Sequence, residues 1–272
     1  MEREYYYLVS SLPELVSGDL KKHPFEEFHA FCAEELSASD YDVFRKCFIF
    51  SDIRNVCNSA NDAGNYLQPA YYSSESFAEM QADTDQFFPF IAEFLSDQAA
   101  DKRLYPELKK EDELVMRMYE DLDSFAGGES EQFVKDYLLF ELHLRNICTA
   151  YSHRALGLDY KKQILPCDYI SEQIAHSSSP DFGLGGEIGR FEVLFDMFGK
   201  AEPLALEKEI DRVRWQWLDD AVQSKPFSRD AVCAFAVKLA SVERWLALDE
   251  NEGKKLLHSL IEQTKDTVII EE

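Results

Sequence analysis

Residues 131–158 read EQFVKDYLLFELHLRNICTAYSHRALGL, the longest stretch of helical patterning in the chain. Tyr137, Leu138, Leu144, Cys148, Tyr151 and Ala155 recur at three- and four-residue steps, which at 3.6 residues per turn stacks them along one face. That face is expected to be buried. Glu141 falls inside the stripe, and Arg145 stands one turn beyond it. Stripping a buried carboxylate of its partner costs roughly 3 kcal/mol or more. The spacing therefore predicts a Glu141–Arg145 contact, or an equivalent pair between helices. Fixing the packing register is the plain role of such a pair.

The same periodicity extends both ways from this stretch. Upstream, Phe25, Phe28, Phe31, Cys32 and Leu36 predict a helix opening at Pro24, and Ser37 or Ser39 is placed to cap a second helix from Tyr41 through Val56, ending near Gly64. Residues 5–9 fit a short strand or a first helical turn. Residues 61–74 carry the Gly, Pro, Asn and Ser of a loop. Helix resumes at Ser74 or Ser76 towards Asp97, with Pro89 expected to kink or break it. A further helix is expected from Glu111 to Phe125, stopped by Gly127 and Gly128, with Ser130 capping the opening stretch.

Beyond Gly157 the pattern loosens through Gly186, and SSSPDFGLGG reads as an exposed loop. Helical spacing returns after Pro203, again after Ser228, and once more after Asp249 or Asn251, before a β-prone tail, TVIIEE. Strand-like alternation is scarce, so the fold class is all-α, with residues 1–272 as one domain.

The chain repeats itself. Arg54-Asn55-Val56-Cys57 returns as Arg145-Asn146-Ile147-Cys148, each late in a long expected helix and each preceded by a carboxylate, Asp52 or Glu141. The carboxylates stand in different register, three residues before Asn55 and five before Asn146. Residues 238–253 form a fainter third copy, with Trp245 where the others have asparagine.

Composition narrows the function classes. The 272 residues contain 28 basic and 52 acidic side chains, a formal charge of −24, and this field repels phosphate backbones and anionic headgroups. Nucleic acid is not an expected partner. Cys32, Cys47, Cys57, Cys148, Cys167 and Cys233 form no Cys-x-x-Cys pair and are expected to be reduced and mostly buried. The opening MEREYYYLVSSLPEL has no signal-peptide pattern, and no window of 18 apolar residues occurs, so a soluble cytoplasmic chain is expected.

Reaction chemistry is not written in the sequence. Glu26 and His29 have the spacing of one half of a di-iron carboxylate site, but no second Glu-x-x-His exists. His143 and His153 lack a nucleophile or orienting partner at recognisable spacing. Residues 183–189, GLGGEIG, look like a phosphate loop but follow SSSPDF and not a buried strand. No catalytic residue, cofactor or metal is expected.

Asp136-Tyr137-Leu138, then Glu141, Asn146, Thr149 and Ala150, resembles the second signature helix of the V/A-type ATPase C subunit, known in eukaryotes as the d subunit, and Asp52 and Asn55 are similar to the Asp-x-x-Asn of its first. From YYYLVSSLPEL to Trp215, Trp217 and Glu243-Arg244-Trp245, the chain resembles over nearly its full length a bacterial family of uncharacterised proteins encoded beside the components of V-type ATPases. The resemblance implies a funnel of about three similar helical lobes, roughly 1–104, 105–200 and 201–272. It implies a central-stalk (rotor) adaptor between the shaft made by the D and F subunits and the membrane proteolipid ring, peripheral to the inner membrane and touching it only through other proteins of the complex. Asp52, Arg54, Asn55, Glu141, Arg145 and Asn146 are then the structural or partner-binding residues. The alternatives are a helical metal protein or enzyme built around Glu26, His29, Glu141 and His143, and an acidic assembly factor of the same ATPase.

Overall fold

Ser37 separates the first two long segments of helix: its hydroxyl accepts the Asp40 N–H at 3.2 Å and so supplies a partner that the open helix end lacks. In the computed structural model, which describes residues 3–15, 24–59, 66–128, 131–198, 200 and 202–247, α1 covers Tyr6–Ser10, α2 Phe25–Glu35, α3 Ala38–Lys46 and α4 Ile49–Ser59. The single helix expected from Tyr41 through Val56 is thus two. Cys47, Phe48 and Ser51 donate to carbonyls three residues back, a tighter turn than the α-helix. The break lets two phenylalanines serve different neighbours: Phe44 lies 6.3 Å from the Phe28 ring and Phe48 lies 5.3 Å from Phe25. The end expected near Gly64 lies outside the described residues.

The ambiguous start is helical, although Tyr5 also donates its N–H to the Phe227 carbonyl at 2.7 Å, tying the amino-terminal segment to the start of the last described helix. The segment expected from Ser74 or Ser76 towards Asp97 is broken ahead of Pro89, as expected, but the proline does not itself end a helix. It opens one, α6 (Pro89–Ala99), after a short α5 (Ser74–Met80) capped by Ser73, because a proline at the first helical position forfeits no hydrogen bond. The next segment is α7 (Lys110–Glu120) with a short α8 (Leu122–Phe125). Gly127 follows where an added Cβ would stand 1.6 Å from the Asp123 carbonyl oxygen, so this close approach requires glycine.

The opening stretch forms α9, Gln132–Ala155, the longest helix among the described residues. It is not buried along one stripe. Phe133, Val134, Phe140, Leu142 and Ile147 are buried beside Tyr137, Leu138, Leu144 and Tyr151, whereas Cys148 is half-buried and Ala155 exposed. The reason is that α9 is packed on several sides, and a helix with neighbours all round buries apolar groups all round. Phe140 stacks on Trp217 at 4.9 Å and on Phe191 at 5.6 Å, Tyr151 stacks on Phe182 at 5.2 Å, and the Tyr119 hydroxyl donates to the Leu138 carbonyl. Each fully buried side chain of this size contributes roughly 1.5–3 kcal/mol.

The region expected to be loose contains α10 (Tyr169–His176), opened by Asp168, whose carboxylate accepts the Ser171 N–H at 2.8 Å, and α11 (Glu192–Met197) follows it. Then come α12 (Pro203–Val222) and α13 (Arg229–Ala247), as their periodicity predicts. The helix expected after Asp249 or Asn251 and the TVIIEE tail lie outside the described residues, as does Ser130. Among the described residues there are thirteen α-helices and no strand. Buried apolar side chains from all of them form one contiguous core.

Candidate functional site

The two repeat asparagines do the same thing. Asn55 on α4 is buried; its Nδ2 donates to the Leu67 carbonyl at 3.1 Å and its Oδ1 accepts the Leu67 N–H at 2.7 Å. Asn146 on α9 is also buried, donating to the Leu165 carbonyl at 3.0 Å and accepting the Leu165 N–H at 3.1 Å. A carboxamide carries a donor and an acceptor side by side, so it satisfies both polar groups of one residue at once. In each case a proline stands just beyond the clamped leucine (Pro69, Pro166) and a capped helix follows, α5 behind Ser73 and α10 behind Asp168.

The preceding carboxylates do not correspond. Asp52, fully buried, accepts the Tyr71 N–H at 2.7 Å and the Tyr72 N–H at 3.1 Å, holding the same loop that Asn55 clamps. Burial pushes its carboxyl up to about 7, against the two N–H bonds that pull it down. Glu141 instead reaches across to α12, where its carboxylate accepts from Arg214 Nε and, at 3.1 Å, from Arg214 Nη2. The contact expected with Arg145 is therefore absent, and the pair between helices takes its place. The two side chains are 14% and 20% exposed, enough burial to make the partner matter.

The repeat arginines converge on one turn. Arg54 donates to Glu111 at 3.1 Å and Arg145 to Asp112 at 2.7 Å, two successive residues in the first turn of α7. Glu113, the third acid there, is buried and receives Arg103 at 2.7 Å and Arg117 at 3.0 Å. Carboxylates belong at a helix N-terminus, where the backbone N–H groups point outward. Here they also gather arginines from four places.

Beside this turn lies a cleft of about 740 Å³ whose walls come from α4, α7, α9, α12 and α13. Arg54, Glu141 and Arg145 line it; Asp52, Asn55 and Asn146 do not, although Asn55 clamps Leu67, which does. On the α12–α13 side Asp211 is buried and accepts from Arg214, from Arg244 at 2.6 Å, from the Trp245 indole at 2.6 Å and from the Ser241 hydroxyl at 3.1 Å. Burial opposes the charge on Arg214, but Glu141 and Asp211 outweigh it and hold the guanidinium above its ordinary range. Trp245, which takes the place of the asparagine in the faint third copy, thus reaches back to α12; the chain beyond Ala247 lies outside the described residues.

Sequence patterning points to Arg54, Glu141 and Arg145 but passes over Arg214, Asp211, Glu111 and Asp112. The available signal is Asp211 and Arg214, three residues apart between the apolar Ile210, Val213 and Trp217. The residues of the metal alternative are not brought together: Glu26 is exposed, His29 bonds the Tyr41 hydroxyl at 3.0 Å, and His143 bonds Asp168 at 2.6 Å. Among the described residues no group of three or more His, Cys, Asp or Glu is placed to hold a metal ion. Burial pushes the thiols of Cys32, Cys57, Cys148 and Cys167 up to about 12, away from nucleophilic use. The glycines at 183–189 lie in a turn leading into α11, and no described helix is long and apolar enough to cross a membrane.

A family model described as "Protein of unknown function (DUF2764)" matches residues 1–268. No curated protein and no solved structure matches the chain.

Proposed function

The chain belongs to the DUF2764 family, and from its own geometry we propose that it is a non-catalytic central-stalk adaptor of a V/A-type ATPase. It links the shaft of the D and F subunits to the membrane proteolipid ring in ATP-coupled ion transport, and it works in the cytoplasm at the inner membrane as part of that complex. Its body has about three similar lobes, roughly 1–104, 105–200 and 201–272. The observation that carries this function is the pair of matching asparagine clamps, Asn55 on Leu67 and Asn146 on Leu165, on helices whose arginines meet at one turn of α7. Two helices in like settings around a shared cleft suit a holder of other proteins.

Torque passes only through parts that do not yield. The interhelical pairs Glu141–Arg214 and Asp211–Arg244 tie α9, α12 and α13 with charge-assisted bonds, the strong class of hydrogen bond. Purification of the full chain from native membranes in mild detergent tests the proposal. The D and F subunits and the proteolipid are expected to come with it, in washed membranes and in the assembled, ATP-hydrolysing complex. A chain that is recovered only free, or only with unassembled intermediates, overturns it; the second outcome makes the chain an assembly factor.

A further inference from the structure

The cleft has a size and a charge that say what enters it. At about 740 Å³ the cleft is in the range of sites that take one short segment or small group. Six carboxylates and four guanidinium groups line the space. Arg54 is taken by Glu111, Arg145 by Asp112, Arg214 by Glu141 and Asp211, and Arg244 by Asp211. Two carboxylates remain without a guanidinium among the described residues. Glu243 accepts the Phe25 N–H at 2.7 Å, and the exposed Glu207 has no ion pair among the described residues. Between these charges the walls present half-buried apolar side chains, Phe50, Val115 and Ile210.

From this geometry we infer that the cleft takes the tip of a single amphipathic helix of a partner protein, with Lys or Arg facing Glu207 and Glu243 and apolar residues against Phe50, Val115 and Ile210. The inference rests on the adaptor function for the partner's identity but on the cleft alone for its chemistry. An acidic tip is refused, because it would bring like charge to a wall with surplus carboxylates in a chain whose formal charge is −24.

Two fluorescein-labelled helical peptides test it on the full chain by anisotropy, one of Lys, Leu and Ala and the other with Glu for each Lys. The basic peptide is expected to bind and the acidic one not. Glu207→Lys is expected to weaken the basic peptide by about fivefold or more, while Glu34→Lys, an exposed acid on α2 outside the cleft, changes it less than about twofold. Circular dichroism confirms that both variants fold. No binding of the basic peptide, equal binding of the acidic one, or equal weakening by the two substitutions overturns the inference, the last because it marks the general field of the molecule. Copurification of the D and F subunits with a chain that refuses the basic peptide would leave the adaptor function standing and remove only this inference; peptide capture without copurification would do the reverse.

Discussion

Asn146 is fully buried, with both of its functional atoms on the backbone of Leu165. Asn146→Ala leaves the Leu165 N–H and carbonyl without partners, and the expected loss is about 2–4 kcal/mol in urea unfolding, with Asn55→Ala of similar size. Losses below about 1 kcal/mol for both would mean that water or a shifted loop repairs the clamps. Asp52 sets a pH window. Its carboxyl titrates at about 7 in the folded chain and at about 3.9 when unfolded, so the folded state holds the extra proton between these values. Stability from this group is therefore fully present below about pH 4 and lost as pH rises towards about 7, by roughly 2–4 kcal/mol. Asp52→Asn is expected to flatten that stretch of the stability–pH curve; an unchanged slope counts against a protonated Asp52. The Arg-Asn-x-Cys repeat is visible as text. Its purpose is not, because the clamped leucines lie 12 and 19 residues further on, with no periodic link to the asparagines.

Between elements, the Glu141–Arg214 bridge joins α9 to α12 across 73 residues of sequence. A double-mutant cycle of Glu141→Gln with Arg214→Gln is expected to give a coupling of about 1–3 kcal/mol, and the matching cycle with Arg145→Gln less than about 0.5. The opposite ranking would restore the contact within one helix that spacing suggests. The periodicity of α9 requires a buried partner for Glu141 without naming it, since a carboxylate on a core face reports its need and not its neighbour. Element boundaries are legible where one residue acts locally, as with Ser37, Gly127 and Ser228. They mislead where the core decides: the tight turn at Cys47 and Phe48 splits an otherwise continuous helical pattern to seat two phenylalanines. At α10 the capping Asp168 and the buried Ile174 and Ala175 are hidden among glycines, prolines and serines.

For the molecule as a whole, the surplus of 24 negative charges leaves little room for nucleic acid or bare anionic lipid as partners. In flotation with phosphatidylglycerol vesicles at physiological salt, and in gel shifts with duplex DNA, the purified chain is expected to remain unbound. Retention that weakens as salt rises would show a basic patch gathered from the scattered lysine pairs. The all-helical class follows from periodicity alone. The cleft does not, because it is a space between five helices brought together by the core, and spaces leave no pattern along a chain. The first turn of α7 gives that space a mechanical property. Its three consecutive acids all hold arginines, and the two asparagine helices reach adjacent ones, α4 at Glu111 and α9 at Asp112. Like spokes meeting at an axle, α4 and α9 share one anchoring turn, in which the half-buried Arg145–Asp112 pair is the firmer link and the exposed Arg54–Glu111 pair the weaker.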